Sequence, residues 1–251
     1  MEDREKNRIW QKITEHAEAS VSELSELRRD FHRHPEPGWM EFRTSGRIAD
    51  LLHLYGCDEV LTGQQVCKAE ARMGVPEGGG MTGVIGILHC GAGPTIALRF
   101  DIDALPVREC EDKDHFPAQE GFRSEHAGYM HACGHDGHIA VGLGTAKLLC
   151  QMREQLHGTV KFIFQPAEEG VRGARAIVEN GHLEDVDFLL GAHMYGGSEQ
   201  HPCGICITAG HGLATTKLDV DFHGKASHAA AAPEQGNNAL LAAATAVLNL
   251  Q

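Results

Sequence analysis

The segment 130–138, with the sequence MHACGHDGH, concentrates side chains that can bind a metal ion. They are one thiol, three imidazoles and one carboxylate, contributed by Cys133, His131, His135, His138 and Asp136. The apolar residues that follow recur at helical spacing, which predicts that the cluster lies in the loop entering a helix. Cys133 and His135 can both face one point, and a helix N-terminus favours the thiolate, the form that binds metal. The alternative is a histidine-rich surface turn around a buried structural cysteine.

Further candidate ligands stand where apolar, strand-like runs end. Asp101 and Asp103 close the run 95–100, Glu168 and Glu169 follow the run 159–165, and His193 follows the run 186–192. In a repeated β-α-β pattern such loops collect at one edge of a parallel sheet, where α/β proteins bind ligands. The sequence therefore predicts an α/β fold with a metal site assembled from several strand ends. Taken alone, the aspartates could cap a strand or pair with Arg99, and the glutamates could be a solvated acidic pair.

The predicted metal ligands are a thiolate, two imidazoles and a carboxylate, from Cys133, His135, Glu169 and His193. This set suits Zn²⁺ without excluding Mn²⁺ or Co²⁺, and our hypothesis is two ions that share a bridging water. Metal lowers the pKa of bound water from about 15.7 towards about 7. Glu168, beside a ligand but directed elsewhere, would take the proton of that water and pass it to a leaving amine.

Composition excludes several classes of function. The net charge of −13 comes from dispersed acidic residues, and no basic patch of the kind that binds nucleic acid is present. No stretch reaches the roughly 18 apolar residues of a membrane span, and the charged N-terminus leads into no secretory signal. With its eight cysteines scattered, the chain is expected to be cytoplasmic with reduced thiols. Cys203 and Cys206 have metal-knuckle spacing but no second pair, which favours core thiols.

The periodicity of the chain predicts the elements that position these residues. Helices are expected at 9–34, 44–55, from the Cys/His cluster to about 155, and at 173–180. Strands are expected at 57–61, 83–89, 95–100, 159–165 and 186–192, the last two buried, with a loop at 63–81. The turn 90–94 would join two strands as a hairpin or a short crossover.

The pattern of apolar and polar residues changes near residue 214. Residues 215–223 alternate apolar and polar side chains, which is typical of a half-exposed antiparallel strand, and a helix follows from about 237. We therefore expect a metal-binding catalytic domain over 1–213 and the beginning of a second domain over 214–251. One strand and one helix cannot bury their own apolar faces, so this second domain is expected to be incomplete.

The chain resembles the aminoacylase/carboxypeptidase-G type of metallo-amidohydrolase, a family that includes indole-acetyl-amino-acid and hippurate hydrolases. The matching motifs are RFDIDALP at 99–106, MHACGHDGH at 130–138, FQPAEEG at 164–170, GAHMYGG at 191–197 and GKASHAA at 224–230. They occur in the family's order. The resemblance implies a three-layer, zinc-peptidase-like catalytic domain with a mixed, largely parallel sheet, followed by a smaller α+β lid/dimerisation domain.

The resemblance also implies roles for individual residues. It supports the same four ligands and Glu168 as general acid/base, and it adds Asp103 as a residue that orients a ligand. His228, which by itself reads as a surface histidine, would stabilise the oxyanion in the active site of a neighbouring subunit. The implied assembly is a homodimer, or a hetero-oligomer with a homologous B-type subunit.

The implied substrate is a small N-acyl amino acid. Segments 31–44, 71–77 and 214–244 resemble the branch that hydrolyses p-aminobenzoyl-glutamate, a folate breakdown product, to p-aminobenzoate and glutamate. Indole-acetyl or benzoyl conjugates are the alternative substrates. The family's last histidine ligand would follow the 251 residues given, so we expect weak metal binding and little turnover by the chain alone. Competing hypotheses are an inactive metal-binding partner and a structural dimerisation subunit.

Overall fold

The computed structural model describes residues 2–170, 172–194, 204–205 and 220–250. The chain divides into two compact units, Met1–Ile205 and Cys206–Gln251. The boundary expected between residues 213 and 214 lies outside the described residues, as do Cys203 and Cys206. Among the described helices, none combines the length and the apolar character that a membrane crossing needs.

The first unit alternates helices and strands. Its helices are α1 (Glu2–Arg33), α2 (Phe42–Tyr55), α3 (Phe116–Gln119), α4 (His135–Gln151) and α5 (Gly173–Val178). Its strands are β1 (Glu59–Thr62), β2 (Val84–His89), β3 (Thr95–Asp101), β4 (Thr159–Gln165) and β5 (Phe188–Gly191). Helix α2 ends where the sequence predicts, because Gly56 takes a left-handed φ of 90° and its N–H returns to the carbonyl of His53.

The strands form one mixed sheet in the order β1-β2-β4-β3-β5. Strand β4 pairs antiparallel with β2 and parallel with β3, while β1–β2 is antiparallel and β3–β5 parallel. Of the two predicted connections between β2 and β3, a hairpin or a short crossover, the hairpin is not found, because β4 lies between the two strands. All residues of β4 after Thr159 are buried, and a strand buried on both faces belongs inside a sheet. The predicted mixed α/β architecture is confirmed.

Alternate residues of the strands enter two separate cores, one on each face of the sheet. Val160, Phe162 and Phe164 of β4 pack with apolar residues of α1, α2 and α4. Ile163, on the other face, packs with a cluster that includes Trp39 and residues of α5. The unit therefore has three layers: long helices, the sheet, and a thinner cover that includes α5.

Strand β5 is exposed, whereas the sequence predicts a buried strand over 186–192. Phe188, Leu189 and Leu190 are all exposed, with 54% to 62% of their surface accessible. The strand is at the edge of the sheet and pairs only with β3, so its other side has no neighbour among the described residues. The hydrophobic run correctly indicates a strand. Whether that strand is buried depends on its position in the sheet.

The described part of the second unit contains helix α6 (Ala239–Asn249). Asn238 caps it, because the side-chain oxygen accepts from the backbone N–H groups of Leu240 and Leu241. An isolated bridge pairs Lys225 with Asn237. The predicted strand 215–223 is not found over 220–223, its described portion, because no described segment pairs with it; residues 215–219 lie outside the described ones.

A buried carboxyl group, that of Glu41, connects the start of α2 to the chain that follows β4. It accepts hydrogen bonds from the hydroxyl of Thr82 at 2.6 Å and from the backbone N–H of Ala167 at 2.7 Å. Burial, together with the charge of Asp103, raises the pKa of Glu41 to about 8, against the two hydrogen bonds, which lower it. At neutral pH this group is therefore largely protonated.

Close packing between α4 and the sheet gives the first testable prediction. A Cβ on Gly142 would lie 2.8 Å from ring atoms of Phe100 and Phe164, whereas a Cβ on Gly46, in α2, meets nothing within 4 Å. We expect Gly142→Ala to lower the free energy of unfolding by about 1–3 kcal/mol through overpacking. Gly46→Ala is expected to raise it by up to about 1 kcal/mol. Urea denaturation of both variants tests this, and a Gly142→Ala protein as stable as wild type contradicts it.

Glu41 gives a prediction of pH dependence. Its pKa is higher in the folded protein than in the unfolded chain, so between about pH 4.5 and pH 8 the unfolded chain releases the proton first, and stability falls as pH rises. Glu41→Gln stays neutral, and its amide oxygen can accept from the N–H of Ala167 while its NH2 group donates to the hydroxyl oxygen of Thr82. We expect the stability of this variant relative to wild type to increase from pH 5 to pH 8, by on the order of a few kcal/mol.

Urea unfolding at pH 5, 6.5 and 8 measures this difference. Glu70→Gln, at an exposed position, controls for the loss of one carboxylate. Parallel stability curves for wild type and Glu41→Gln would show that the buried carboxyl does not titrate as expected.

Candidate metal centre

The carboxyl ends of three parallel strands meet at one edge of the sheet. Asp101 ends β3, Glu168 and Glu169 follow β4, and His193 follows β5. Cys133 and His135 arrive at the same edge from the connection between β3 and β4. The Cys/His cluster lies partly within α4 rather than before it, because Gly134, with a φ of 86°, turns the chain so that the helix begins at His135.

The structure brings the four predicted ligands and Glu168 together. Donor atoms of Cys133, His135 and His193 lie within 4.8 Å of one another, as do those of His135, Glu168 and Glu169. The thiol sulfur of Cys133 is 3.4 Å from Nε2 of His193, and Nε2 of His135 is 3.9 Å from Oε2 of Glu168. His135 belongs to both groups and is the point where they join.

Asp103 fixes the orientation of two of these residues. Nδ1 of His135 donates to the backbone carbonyl of Asp103 at 2.8 Å and lies 3.2 Å from its carboxylate. The other carboxylate oxygen accepts from the backbone N–H of Glu169 at 2.8 Å. Because Nδ1 carries the proton in this arrangement, the lone pair of Nε2 faces the site.

Of the four predicted ligands, two have a buried side-chain atom with no hydrogen-bond partner among the described residues: Nε2 of His135 and Oε1 of Glu169. Buried polar atoms are nearly always satisfied, so an unpartnered nitrogen and carboxylate oxygen need an external partner. A thiol, two imidazoles and a carboxylate form a donor set that Zn²⁺ and similar divalent ions accept. The residues present therefore fit a divalent cation.

The electrostatics of the site are dominated by acidic groups. Burial, the neighbouring Glu169 carboxylate and the charges of Glu168 and Asp101 raise the pKa of the Cys133 thiol to about 12. Burial and these carboxylates act against the lowering of this pKa that is expected from the start of the helix. A divalent cation held by these residues would reverse that balance and favour the thiolate of Cys133.

Glu168 differs from Glu169 in its surroundings. Its pKa is raised by partial burial and then by the charge of Asp101. The pKa of His135 is also raised: burial opposes its charged form, but the hydrogen bond and charge of Asp103 prevail. Glu168 is thus a carboxylate with increased proton affinity beside the candidate ligands, which suits a group that accepts and returns a proton.

The turn that directs the two glutamates is held in an unusual backbone conformation. Ala167, which precedes Glu168, has a φ of 49°, and Glu41 accepts a hydrogen bond from its N–H. A Cβ on Gly38 would lie 3.0 Å from Ala167, so only glycine allows this approach of the two segments without a shift.

Asp101 and His138, which the sequence offers as metal-binding side chains but which the predicted set of four ligands leaves out, also lie in the site. Their donor atoms and those of His135 lie within 4.8 Å of one another. Nδ1 of His138 is 3.5 Å from Asp101, and its Nε2 accepts from the backbone N–H of Met194 at 2.9 Å. The available signal was the spacing of His135 and His138, which places them on one helix face.

Next to the candidate ligands, the side chain of Asp136 belongs to a network of hydrogen bonds and ion pairs. It lies 2.9 Å from Nδ1 of His32 and 3.1 Å from Nε of Arg28. The other ring nitrogen of His32 is 3.1 Å from Glu109. Complete burial lowers the pKa of His131 to about 4, so this imidazole is neutral. Asp136 therefore belongs to this network, and both Asp136 and the neutral His131 lie close to Cys133, with which they line one cavity.

A cavity of about 580 Å³ opens beside the site. Cys133 and His193 form part of its wall, together with Met130, His131 and Met194. It offers space for a small molecule next to the candidate ligands.

His228 belongs to the second unit. It is exposed, and its Nδ1 accepts from the backbone N–H groups of Ala230 and Ala231 at 3.2 and 3.0 Å. Its expected role at the active site of a neighbouring protomer stays a prediction.

Comparison with known proteins identifies relatives along most of the chain. The A-type subunit of p-aminobenzoyl-glutamate hydrolase from Escherichia coli is 45% identical over 90% of this chain and 57% of its own length. Indole-3-acetyl-aspartic acid hydrolase from Enterobacter agglomerans is 42% identical over 95% of this chain and 60% of its own length. The chain therefore spans less than two thirds of these relatives.

A solved structure is also similar to this chain in both sequence and fold. The YXEP protein of Bacillus subtilis, described as a dinuclear metal-binding peptidase of the M20 family, is 41% identical with a TM-score of 0.59. The match covers 70% of this chain and 44% of that one. Residues 97–250, which include every candidate ligand, match the pattern of peptidase family M20/M25/M40. The chain belongs to this family of metallopeptidases and amidohydrolases.

Proposed function

We propose that this chain carries the metal centre of an amidohydrolase that cleaves N-acyl amino-acid amides. The observation that carries the proposal is the pair of unpartnered buried atoms, Nε2 of His135 and Oε1 of Glu169. They lie beside Cys133, His193 and the non-ligand carboxylate Glu168. A divalent cation bound there would supply water acidic enough to ionise near neutral pH.

The chain's own residues would do the remaining work. Cys133, His135, Glu169 and His193 would hold the cation, or two cations, with Asp103 orienting His135 and the backbone of Glu169. Glu168 would accept a proton from water at its carboxylate and deliver it to the amide nitrogen as the C–N bond breaks. Water is thereby added across the amide, and a carboxylic acid and an amine are released.

The proposed substrate is p-aminobenzoyl-glutamate, which would give p-aminobenzoate and glutamate in folate catabolism. The 45% identity to one component of a hydrolase of that compound supports this choice. A relative named for indole-3-acetyl-aspartic acid is nearly as similar, so indole-acetyl conjugates are the alternative. Both compounds join an aromatic acyl group to an acidic amino acid, and this shared chemistry defines the substrate class.

Metals, partners and location complete the proposal. Two metal ions are supported by the relative described as dinuclear. We propose Mn²⁺ or Zn²⁺ for them, because the donor set suits such divalent ions. One relative is named as a single subunit of its hydrolase, which supports a complex with a homologous B-type subunit; a homodimer is the alternative. The described cysteines are free thiols, which supports the cytoplasm as the location.

The metal assignment predicts a selective effect of one cysteine. The purified chain is loaded with Zn²⁺ or Mn²⁺, desalted and analysed for bound metal. We expect Cys133→Ala to lower metal affinity by at least about tenfold, the smallest loss typical even of residues that only orient a ligand. Cys110→Ala, at an exposed position away from the site, is the control. Equal metal content in all three proteins would refute the assignment.

The role of Glu168 predicts a separation of binding from catalysis. Glu168→Gln should keep the bound metal but lower the rate of p-aminobenzoate release by about 10²–10⁴, because the proton carrier is lost. The assay uses p-aminobenzoyl-glutamate and indole-3-acetyl-aspartate, with the chain alone and in the presence of a B-type subunit. An unchanged rate rules out this role for Glu168. Metal binding without turnover in either assay would favour a non-catalytic metal-binding partner.

A further inference from the structure

Two cysteines far from the metal centre lie side by side. The sulfur atoms of Cys57 and Cys150 are 3.8 Å apart, although the residues are separated by 93 positions in the sequence. Both are free and partly buried against the main core. Because a disulfide bond is about 2.05 Å long, the sulfurs need to approach by less than about 2 Å to bond. We propose that Cys57 and Cys150 are a reversible modification site that is oxidised to a disulfide by low-molecular-weight disulfides.

Hydrogen bonds around the two cysteines hold their chain segments next to each other. Cys57 lies between α2 and β1, and its N–H donates to the carbonyl of Leu52 at 3.1 Å. Cys150 is in the last turn of α4. Arg153, just beyond that turn, donates to the carbonyl of Gly56 at 2.6 Å and to the carboxylate of Asp58 at 2.9 Å. Arg153 therefore ties both neighbours of Cys57 to the end of α4, so the pair is already aligned.

The two thiols differ in reactivity, as disulfide exchange requires. The hydrogen bond with Cys57 and the charge of Arg153 lower the pKa of Cys150, against partial burial and the charge of Asp58. The pKa of Cys57 is raised by the same hydrogen bond and by burial. Cys150 is therefore the thiolate that attacks first, and Cys57 is the resolving thiol.

The lowered pKa of Cys150 also distinguishes it from two other cysteines, whose thiols burial affects in the opposite direction. Burial raises the pKa of Cys67 to about 12, and it raises the pKa of Cys90 as well. These two thiols are therefore poor nucleophiles at neutral pH, and the reaction is expected to select Cys150.

The exchange is balanced with glutathione disulfide as the oxidant. The Cys150 thiolate attacks one sulfur, the glutathione S–S bond breaks, and one glutathione thiolate leaves. Cys57 then loses its proton to that thiolate or to water and attacks the Cys150 sulfur of the mixed disulfide. The second glutathione leaves, so two protein thiols are oxidised while one glutathione disulfide becomes two thiols.

The bond would act on stability and leave the metal centre unchanged. It would join two points 93 positions apart, which restricts the unfolded chain and stabilises the folded one. Cys150 and His135 are at opposite ends of α4, about 22 Å apart at 1.5 Å per residue. Metal binding is therefore expected to be the same in the reduced and oxidised forms.

The experiment treats the full chain with glutathione disulfide at neutral pH, alkylates the remaining thiols and maps the peptides without reduction. We expect one major cross-linked peptide that joins Cys57 to Cys150, reversal by dithiothreitol, and a Tm several degrees above that of the reduced protein. Cys57→Ser should stop at a glutathione adduct on Cys150, and Cys110→Ser should behave like wild type.

Arg153→Gln should slow the cross-linking severalfold, because it removes the charge beside Cys150. A wild-type chain that forms no Cys57–Cys150 peptide overturns the proposal. So does a cross-link that joins other cysteines at least as often, or a Cys57→Ser protein without an adduct on Cys150. These outcomes are read from thiol chemistry and do not depend on hydrolytic activity, so they are independent of the proposed function.

Discussion

The carboxylate of Asp103 connects the two chain segments that the metal centre needs. It stands just beyond the end of β3, where its carbonyl and carboxylate meet the imidazole of His135 and its other oxygen meets the backbone of Glu169. A carboxylate buried without charge partners would be costly, and these two contacts offset that cost. They also turn the lone pair of His135 towards Glu168 and Glu169, so the geometry of the site depends on this one residue.

The position of β4 makes those contacts possible. Because β4 lies between β2 and β3, the turn with Glu168 and Glu169 emerges next to the end of β3, where Asp101 and Asp103 stand. The same arrangement places α4 across one face of the sheet, with His135 at the end that faces this edge. The turn itself relies on Glu41, whose buried carboxyl holds Ala167 in a left-handed conformation. The candidate ligands are thus supported by groups from α2, β3 and the core.

Burial and the acidic charge gathered in the site together raise the pKa values of Cys133 and Glu168. The carboxylates that raise the pKa of Cys133 in the metal-free protein are the groups that would make a divalent cation bind tightly. The Cys57–Cys150 pair differs, since the hydrogen bond with Cys57 and then the charge of Arg153 lower the pKa of Cys150. Cysteines near the two ends of α4 are thereby suited to different chemistry.

Residue types and periodicity by themselves determined the helices α1, α2 and α4, the strand β4 and the five residues that meet at the sheet edge. Those features depend on local spacing, because side chains at helical or alternating intervals define a face wherever the segment lies. Only the tertiary structure decided that β4 separates β2 from β3, that β5 is an exposed edge, and that Asp101 and His138 join the site. It also set burial and carboxylates against the expected pKa shift of Cys133 and brought Cys57 to Cys150, because strand order, burial and charge proximity join residues that are distant in sequence.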